Sequence, residues 1–230
     1  GTLSTHSRLT GESAIRFVIV EDDLNARAAI IQAVSALDGW QLAGEAGSLA
    51  AAAPLLAGDY DLLLVDLKLP DGSGHSLISQ VRSSAHQPKI VVISVFGDEG
   101  NVIESIQRGA DGYMLKGGDA GKIAEAVEQV MAGMAPISPA IAGHMLRRIR
   151  RQQPKTGTVS AKGVLTPREV EILHELAKGL TYRELGEQLC ISHHTVNDHL
   201  KSIYRKLAVN SRVGAIYQAM RSGYVEVDPE

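Results

Sequence analysis

The sequence predicts an α/β domain with a doubly wound, five-stranded parallel sheet, followed by an all-α helix-turn-helix domain. Three observations carry this reading. First, five short and nearly continuous apolar runs alternate with helical patterns up to Gly133, as expected of parallel strands covered on both faces. Second, charge divides along the chain. Ile15 to Gly133 carries 16 Asp/Glu against 8 Lys/Arg, a balance of −8, whereas Met134 to Glu230 carries 14 Lys/Arg against 9 Asp/Glu, a balance of +5. Third, the last third of the chain holds two capping-box patterns and no strand-like run.

Residues 1–14 are polar and lack an initiating Met; they are read as a disordered leader or a cloning remnant. In the α/β domain (15–133), strands are expected at IRFVIV (15–20), WQLAGE (40–45), DLLLVD (61–66), KIVVIS (89–94) and DGYMLK (111–116). Helical patterns fall near 24–37, 48–57, 74–84, 98–109 and 119–132, and Pro54 should kink or shorten the second of them. Residues 134–163 form a linker: 137–151 can make one more helix, and QQPKTGTVSAKG (152–163) has the Pro, Gly and polar content of a flexible tether.

From 164 to 230 every pattern is helical. Thr166-Pro167-Arg168-Glu169 supplies an N-cap, a proline at the first helical position and a Glu that reaches back. Val170, Leu173, Leu176 and Ala177 then mark an apolar face, and Gly179 ends the helix. Thr181 to Glu184 repeats the box and opens a short helix to Leu189. A turn at Cys190-Ile191 leads to Ser192, the cap of a third helix with Val196, Leu200, Ile203 and Leu207 inward. A fourth helix runs from Ser211 to Ser222. Short helix, tight turn and longer helix with a polar outer face is the plan of a DNA reader.

Bulk properties exclude several classes. No apolar run approaches the roughly 18 uncharged residues of a membrane span, and the one cysteine, Cys190, rules out an internal disulfide framework. A cytoplasmic setting without a membrane partner is expected.

The chemistry concentrates at strand ends. The first strand runs into Glu21-Asp22-Asp23 and the third ends on Asp66, with Pro70-Asp71-Gly72 just beyond. In a doubly wound sheet the first and third strands are neighbours, and ligands sit at their carboxyl ends. Glu21, Asp22 and Asp66 would then crowd one crevice, where unshielded like charges repel. Carboxylates in that number suit Mg²⁺, which also keeps waters and a phosphate oxygen. Ser94 ends the fourth strand and Lys116 the fifth. An acid nucleophile, a metal site, a hydroxyl and a fixed cation are what in-line phosphoryl transfer to a carboxylate requires.

VEDD (20–23), VDLKLPDGSG (65–74), IS (93–94) and GYMLK (112–116) strongly resemble the receiver domain of two-component response regulators, a flavodoxin-like fold. The 44 residues from Asp22 to Asp66 and the 22 from Ser94 to Lys116 are typical of that family. The resemblance implies that Asp66 accepts a phosphoryl group from a sensor histidine kinase and that the domain catalyses its own phosphoryl transfer and dephosphorylation. It further implies that Asp22 and Asp66 hold Mg²⁺, with Glu21 acting through water and Lys68 lending its backbone carbonyl. Ser94 and Lys116 would bind phosphoryl oxygens, and Tyr113 would be the aromatic that moves inward on activation.

LTPREVEIL (165–173) and GLTYRELGEQLCISHHTVNDHLKSIYRKLAVNSRVGA (179–215) resemble the LuxR-type helix-turn-helix. Together the two halves have the layout of the NarL/FixJ class, which implies a transcription regulator that dimerises on activation and reads double-stranded promoter half-sites. On the recognition helix Thr195, Asn197, Asp198, Lys201, Ser202 and Arg205 are expected to face outward, and the helix starts at Thr181 and Ser192 to meet phosphates.

Three positions depart from the family pattern. Val95 follows Ser94 where Ala or Gly is usual, adding bulk at the site's entrance. Lys68 puts a second ammonium beside Asp66, able to hinder attacking water or to pair with the carboxylate. Asn197-Asp198 stands where many relatives carry a base. Three other readings are weaker. An aspartyl-phosphate hydrolase of the haloacid-dehalogenase type needs an Asp at position 68, and a dinucleotide enzyme needs a glycine fingerprint where Glu21-Asp22-Asp23 stands. A degenerate regulator that binds DNA without phosphorylation is the remaining alternative, opposed by the intact acid, hydroxyl and lysine set. His193, His194 and His199 lack acid or cysteine partners and read as surface or DNA-facing residues.

Overall fold

The computed structural model describes residues 14–95, 99–136, 139–151 and 165–225. The leader up to residue 13 and the tether from 152 lie outside the described residues, as does the start expected for the fourth helix.

Five strands form one parallel sheet in the order β2-β1-β3-β6-β7. They are β1 (Ile15–Val20), β2 (Trp40–Ala46), β3 (Leu62–Asp66), β6 (Lys89–Ser94) and β7 (Gly112–Leu115). Between β3 and β6 a two-residue antiparallel ribbon joins β4 (Lys68–Leu69) to β5 (Gly72–Ser73). This ribbon has no counterpart among the expected elements, because two residues are too few to show an alternating pattern. The Pro70-Asp71 turn creates it.

Strand alternation sorts the sheet's side chains onto two faces. Phe17, Ile19, Leu62, Leu64, Val91 and Ile93 pack with α1 (Leu24–Ser35) and α5 (Ala120–Met131). Val18, Val20, Leu63, Val65, Ile90, Val92 and Tyr113 pack with α2 (Leu49–Leu56), α3 (His75–Arg82) and α4 (Glu99–Arg108). All these strand residues are essentially without solvent exposure, which is why the runs read as continuous apolar stretches rather than as an alternation. Pro54 lies inside α2, which ends two residues later.

The chain then forms α6 (Pro139–Arg151), whose Ile141 and Met145 join the cluster beneath α4. The helical domain holds α7 (Pro167–Ala177), α8 (Tyr182–Leu189), α9 (His193–Leu207) and α10 (Arg212–Arg221). Both capping boxes form, Thr166 with Glu169 and Thr181 with Glu184. The turn after α8 passes through Cys190 in the left-handed region, φ 54°, and Ser192 caps α9. Leu165, Ile172, Leu173, Leu176, Leu185, Val196, Leu200 and Ile203 fill this domain's core. Ile172 takes the buried place expected for Ala177, which is exposed, and Leu207 is only partly buried. Helix α10 has two buried sides. Ala215 and Ala219 belong to the helical domain's core, whereas Val213 and Tyr217 belong to the cluster under α4 and α6. Among the described residues no helix is long and apolar enough to cross a membrane.

Candidate functional site

Strand order places β1 between β2 and β3, with β6 and β7 beyond, so four of the expected residues meet at one rim. Glu21 follows β1 directly, Asp66 closes β3, Ser94 closes β6 and Lys116 follows β7. The backbone N–H of Lys116 donates to the Ser94 carbonyl at 2.6 Å, which locks the last two ends together. Gly74 sets the third: a Cβ there would lie 2.1 Å from the Asp66 carbonyl oxygen. Only glycine allows the chain to fold back this tightly behind the acid.

Asp66 is 3 % exposed and Glu21 is fully buried. The Lys116 ammonium bridges them, donating to Glu21 Oε1 at 2.7 Å and to Asp66 Oδ2 at 2.9 Å. Lys68 donates its backbone N–H to Asp66 Oδ1 at 3.2 Å. The ammonium beside Asp66 is therefore that of Lys116, and the side chain of Lys68 is exposed; the pairing considered for Lys68 is made from the opposite side of the crevice. Asp23 caps α1, accepting from the N–H groups of Asn25 and Ala26 at 2.9 Å, and donates its own N–H to Glu21 Oε1 at 2.9 Å.

Burial pushes the Glu21 carboxyl above its ordinary range, and the hydrogen bonds from Lys116 and the Asp23 N–H only partly offset it. Burial also acts to lower the Lys116 ammonium, but its bonds to Glu21 and Asp66 prevail and raise it. The lysine therefore stays charged between two acids.

One atom remains unbalanced. Glu21 Oε2 is buried with no hydrogen-bond partner, and an unpartnered buried carboxylate oxygen is costly. Ligand oxygens of Glu21, Asp22 and Asp66 lie within 4.8 Å of one another. An orphaned oxygen in an all-oxygen donor set fits a hard divalent cation. Among the described residues this is the one His, Cys or acid grouping with such spacing, so His193, His194 and His199 form none.

Tyr113, expected to turn inward on activation, is already buried at 1 % exposure. It lies in the cluster that α4, α6 and α10 cover. Val95 is 54 % exposed beside Ser94.

In the helical domain Asp198, Lys201 and Arg205 are exposed along α9, and Thr195 and Asn197 are half-buried. Asn197 Nδ2 lies 3.2 Å from His193 Nδ1. The Thr181 hydroxyl bonds Glu184, and the Ser192 hydroxyl accepts from the Thr195 N–H at 3.1 Å; both side chains serve their own helices. Ser202, expected outward, instead donates to Glu169 Oε1 at 2.7 Å. Glu169, buried on α7, also receives the Lys206 ammonium at 2.8 Å, and this demand draws Ser202 to the inner side. Sequence reasoning missed Glu169 in this role, since its capping position already explained it.

Comparison with known proteins places both domains in known families. Residues 17–128 match the response regulator receiver domain, and residues 163–219 match the luxR family of bacterial regulatory proteins. The nitrate/nitrite response regulator protein NarP of Escherichia coli is 32% identical over 199 residues, covering 86% of this chain and 91% of NarP. The transcriptional regulatory protein DegU of Brevibacillus brevis is 31% identical over 179 residues, 73% of this chain and 76% of DegU. Among solved structures, RcsB from Salmonella enterica serovar Typhimurium, bound to a promoter with the phosphomimetic BeF3⁻, aligns with a TM-score of 0.55 at 20% identity. That alignment covers 91% of this chain and 99% of RcsB. At this identity the likeness speaks for the fold.

Proposed function

The chain belongs to the response regulators that join a receiver domain to a LuxR-type DNA-binding domain, and from that premise we propose that Asp66 is the phosphoryl acceptor through which a sensor histidine kinase controls its binding to promoter DNA. The single observation that carries this is the meeting of buried Asp66 with Lys116 and the orphaned oxygen of Glu21.

An Asp66 oxygen attacks the phosphorus of a phosphohistidine in line with the P–N bond. That bond breaks, the imidazole leaves with its electron pair and takes up a proton, and an acyl phosphate forms on Asp66. Lys116, already beside Asp66, neutralises one phosphoryl oxygen, and the Ser94 hydroxyl donates to another. Glu21, Asp22, Asp66 and the Lys68 carbonyl are the groups that would hold Mg²⁺, which supplies charge neutralisation at the phosphoryl oxygens when bound. The same groups later serve hydrolysis, where water attacks phosphorus and the carboxylate leaves. Lys68 and Val95 stand on the open side and regulate access.

On the DNA side, Asn197 suits adenine, Asp198 accepts from cytosine N4, and Lys201 and Arg205 reach guanine or phosphate, with Thr195 at the helix start. The backbone N–H groups following Thr181 and Ser192 face phosphates. Two chains, paired through α10, would read half-sites about one helical turn apart.

The test compares DNA affinity of the full chain with and without beryllofluoride and Mg²⁺, using a duplex selected from random sequence. The parent protein is expected to bind more tightly with the mimic, and Asp66→Asn to be indifferent to it. A parent whose affinity ignores the mimic, or an Asp66→Asn variant that still responds, contradicts the reading.

A further inference from the structure

The contact between the two domains covers an unexpected part of the DNA-binding unit. Asp198, Lys201 and Arg205 on α9 stay exposed, whereas α10 is closed off, with Val213 and Tyr217 packed into the cluster that includes Ile106 of α4 and Ile141 and Met145 of α6. This arrangement withholds α10 rather than the outward residues of α9.

At the edge of this contact lies Arg212, only 3 % exposed. One arm of its guanidinium, Nη1, donates to the Gly133 carbonyl, just past the end of α5 in the receiver. The other, Nη2, donates at 2.7 Å to the Leu176 carbonyl in the last turn of α7. The group lies 5.9 Å from the centroid of the Tyr182 ring, and its Nε is buried without a partner. Helix C-termini expose unpaired carbonyls and carry partial negative charge, so a cation is at home there. A planar fork can serve two such ends at once. Here one end belongs to each domain.

The same features make the contact releasable. No carboxylate hydrogen-bonds the guanidinium among the described contacts, and burial lowers its pKa. A buried cation held by neutral carbonyls, with one N–H unserved, gives up hydration that opening would restore. Helix α4, which bears α6 and α10, is the first helix after β6 and its Ser94. A shift of the chain after Ser94 therefore reaches the covered face through one element.

We propose that Arg212 is an interdomain latch, tying the end of α5 to the end of α7 and so holding α10 against α4 until α4 moves. The trigger rests on the phosphoryl-acceptor reading of Asp66; the latch does not.

The chain carries its own reporter pair. Trp40 is the single tryptophan, in the receiver sheet, and Cys190 the single cysteine, exposed in the DNA-binding domain. Energy transfer from Trp40 to an acceptor dye on Cys190 reads their separation in the full-length protein. Arg212→Ala removes the fork. Gly133→Asn works from the other side and leaves the DNA-binding domain intact. Gly133 has φ +84°, and a Cβ there would come 2.7 Å from the Tyr182 ring; Asn tolerates this backbone and supplies the wedge. In both variants transfer should fall to the level the parent reaches with beryllofluoride and Mg²⁺. A folded Gly133→Asn variant that keeps the parent's transfer overturns the latch, even if Arg212→Ala proves unable to fold. Loss of transfer in both variants, with a parent indifferent to beryllofluoride, supports the latch and removes the phosphoryl trigger.

Discussion

Glu169 shows how much one side chain can hold. Its carboxylate closes the capping box at Thr166, receives the Ser202 hydroxyl and takes the Lys206 ammonium. Burial acts to raise its pKa, yet the bonds from Lys206, the Thr166 N–H and Ser202 prevail and lower it from the ordinary 4.5. A carboxyl whose pKa is depressed by folding stabilises the fold above its unfolded value, and that contribution fades as pH falls through the folded value. The neutral amide of Glu169→Gln cannot supply the charged partner. Melting temperatures of parent and variant should therefore be well separated at pH 7 and converge below about pH 4.5. A separation that is constant down to pH 3 would mean that charge at this position contributes nothing.

The elements differ in how plainly the chain announces them. Strands β1, β3 and β6 are legible because both faces of each are buried along most of their length, leaving polar residues only near the ends, such as Arg16 and Lys89. The helix starts at Thr166, Thr181 and Ser192 are legible because capping is local chemistry, settled within four residues. The β4–β5 ribbon is not, since its two-residue strands carry no period. On α9 the inward set Val196, Leu200 and Ile203 follows from spacing, but Ser202 turns to Glu169 on a different helix, and a partner 33 residues away leaves no trace in a helical pattern. Asp198 remains exposed as expected. If it faces the groove, Asp198→Ala should relax discrimination at one base pair and strengthen binding to random DNA, because an acid repels phosphates. A binding series against selected and scrambled duplexes at several salt concentrations checks this. Unchanged affinity for both would place Asp198 outside the interface.

At the level of the entire chain, the acidic first half and basic second half suggested two partners, and the motifs at the strand ends located the crevice residue by residue. What stayed hidden is how the halves meet. An arginine read in isolation belongs to the surface, so nothing marks Arg212 as buried between two helix ends. Tyr217, likewise, reads as a packing residue of its own domain rather than of the receiver's cluster. With α10 covered, a chain in this arrangement lacks the helix through which the proposed pairing would occur. Sedimentation equilibrium should therefore give a monomer mass for the unmodified protein and a dimer mass with beryllofluoride and Mg²⁺. Identical masses in the two states would separate control of DNA binding from control of assembly.

The proposed control of DNA binding depends on which carboxylate holds the phosphoryl group. Incubating the full-length protein with acetyl phosphate and Mg²⁺, reducing the acyl phosphate with borohydride and mapping the peptides by mass spectrometry locates it directly. Hydride converts a phosphorylated aspartate to homoserine, and the modification is expected at Asp66 alone and absent from Asp66→Asn. Conversion at Asp22 or Asp71, or an undiminished yield in Asp66→Asn, would contradict the assignment.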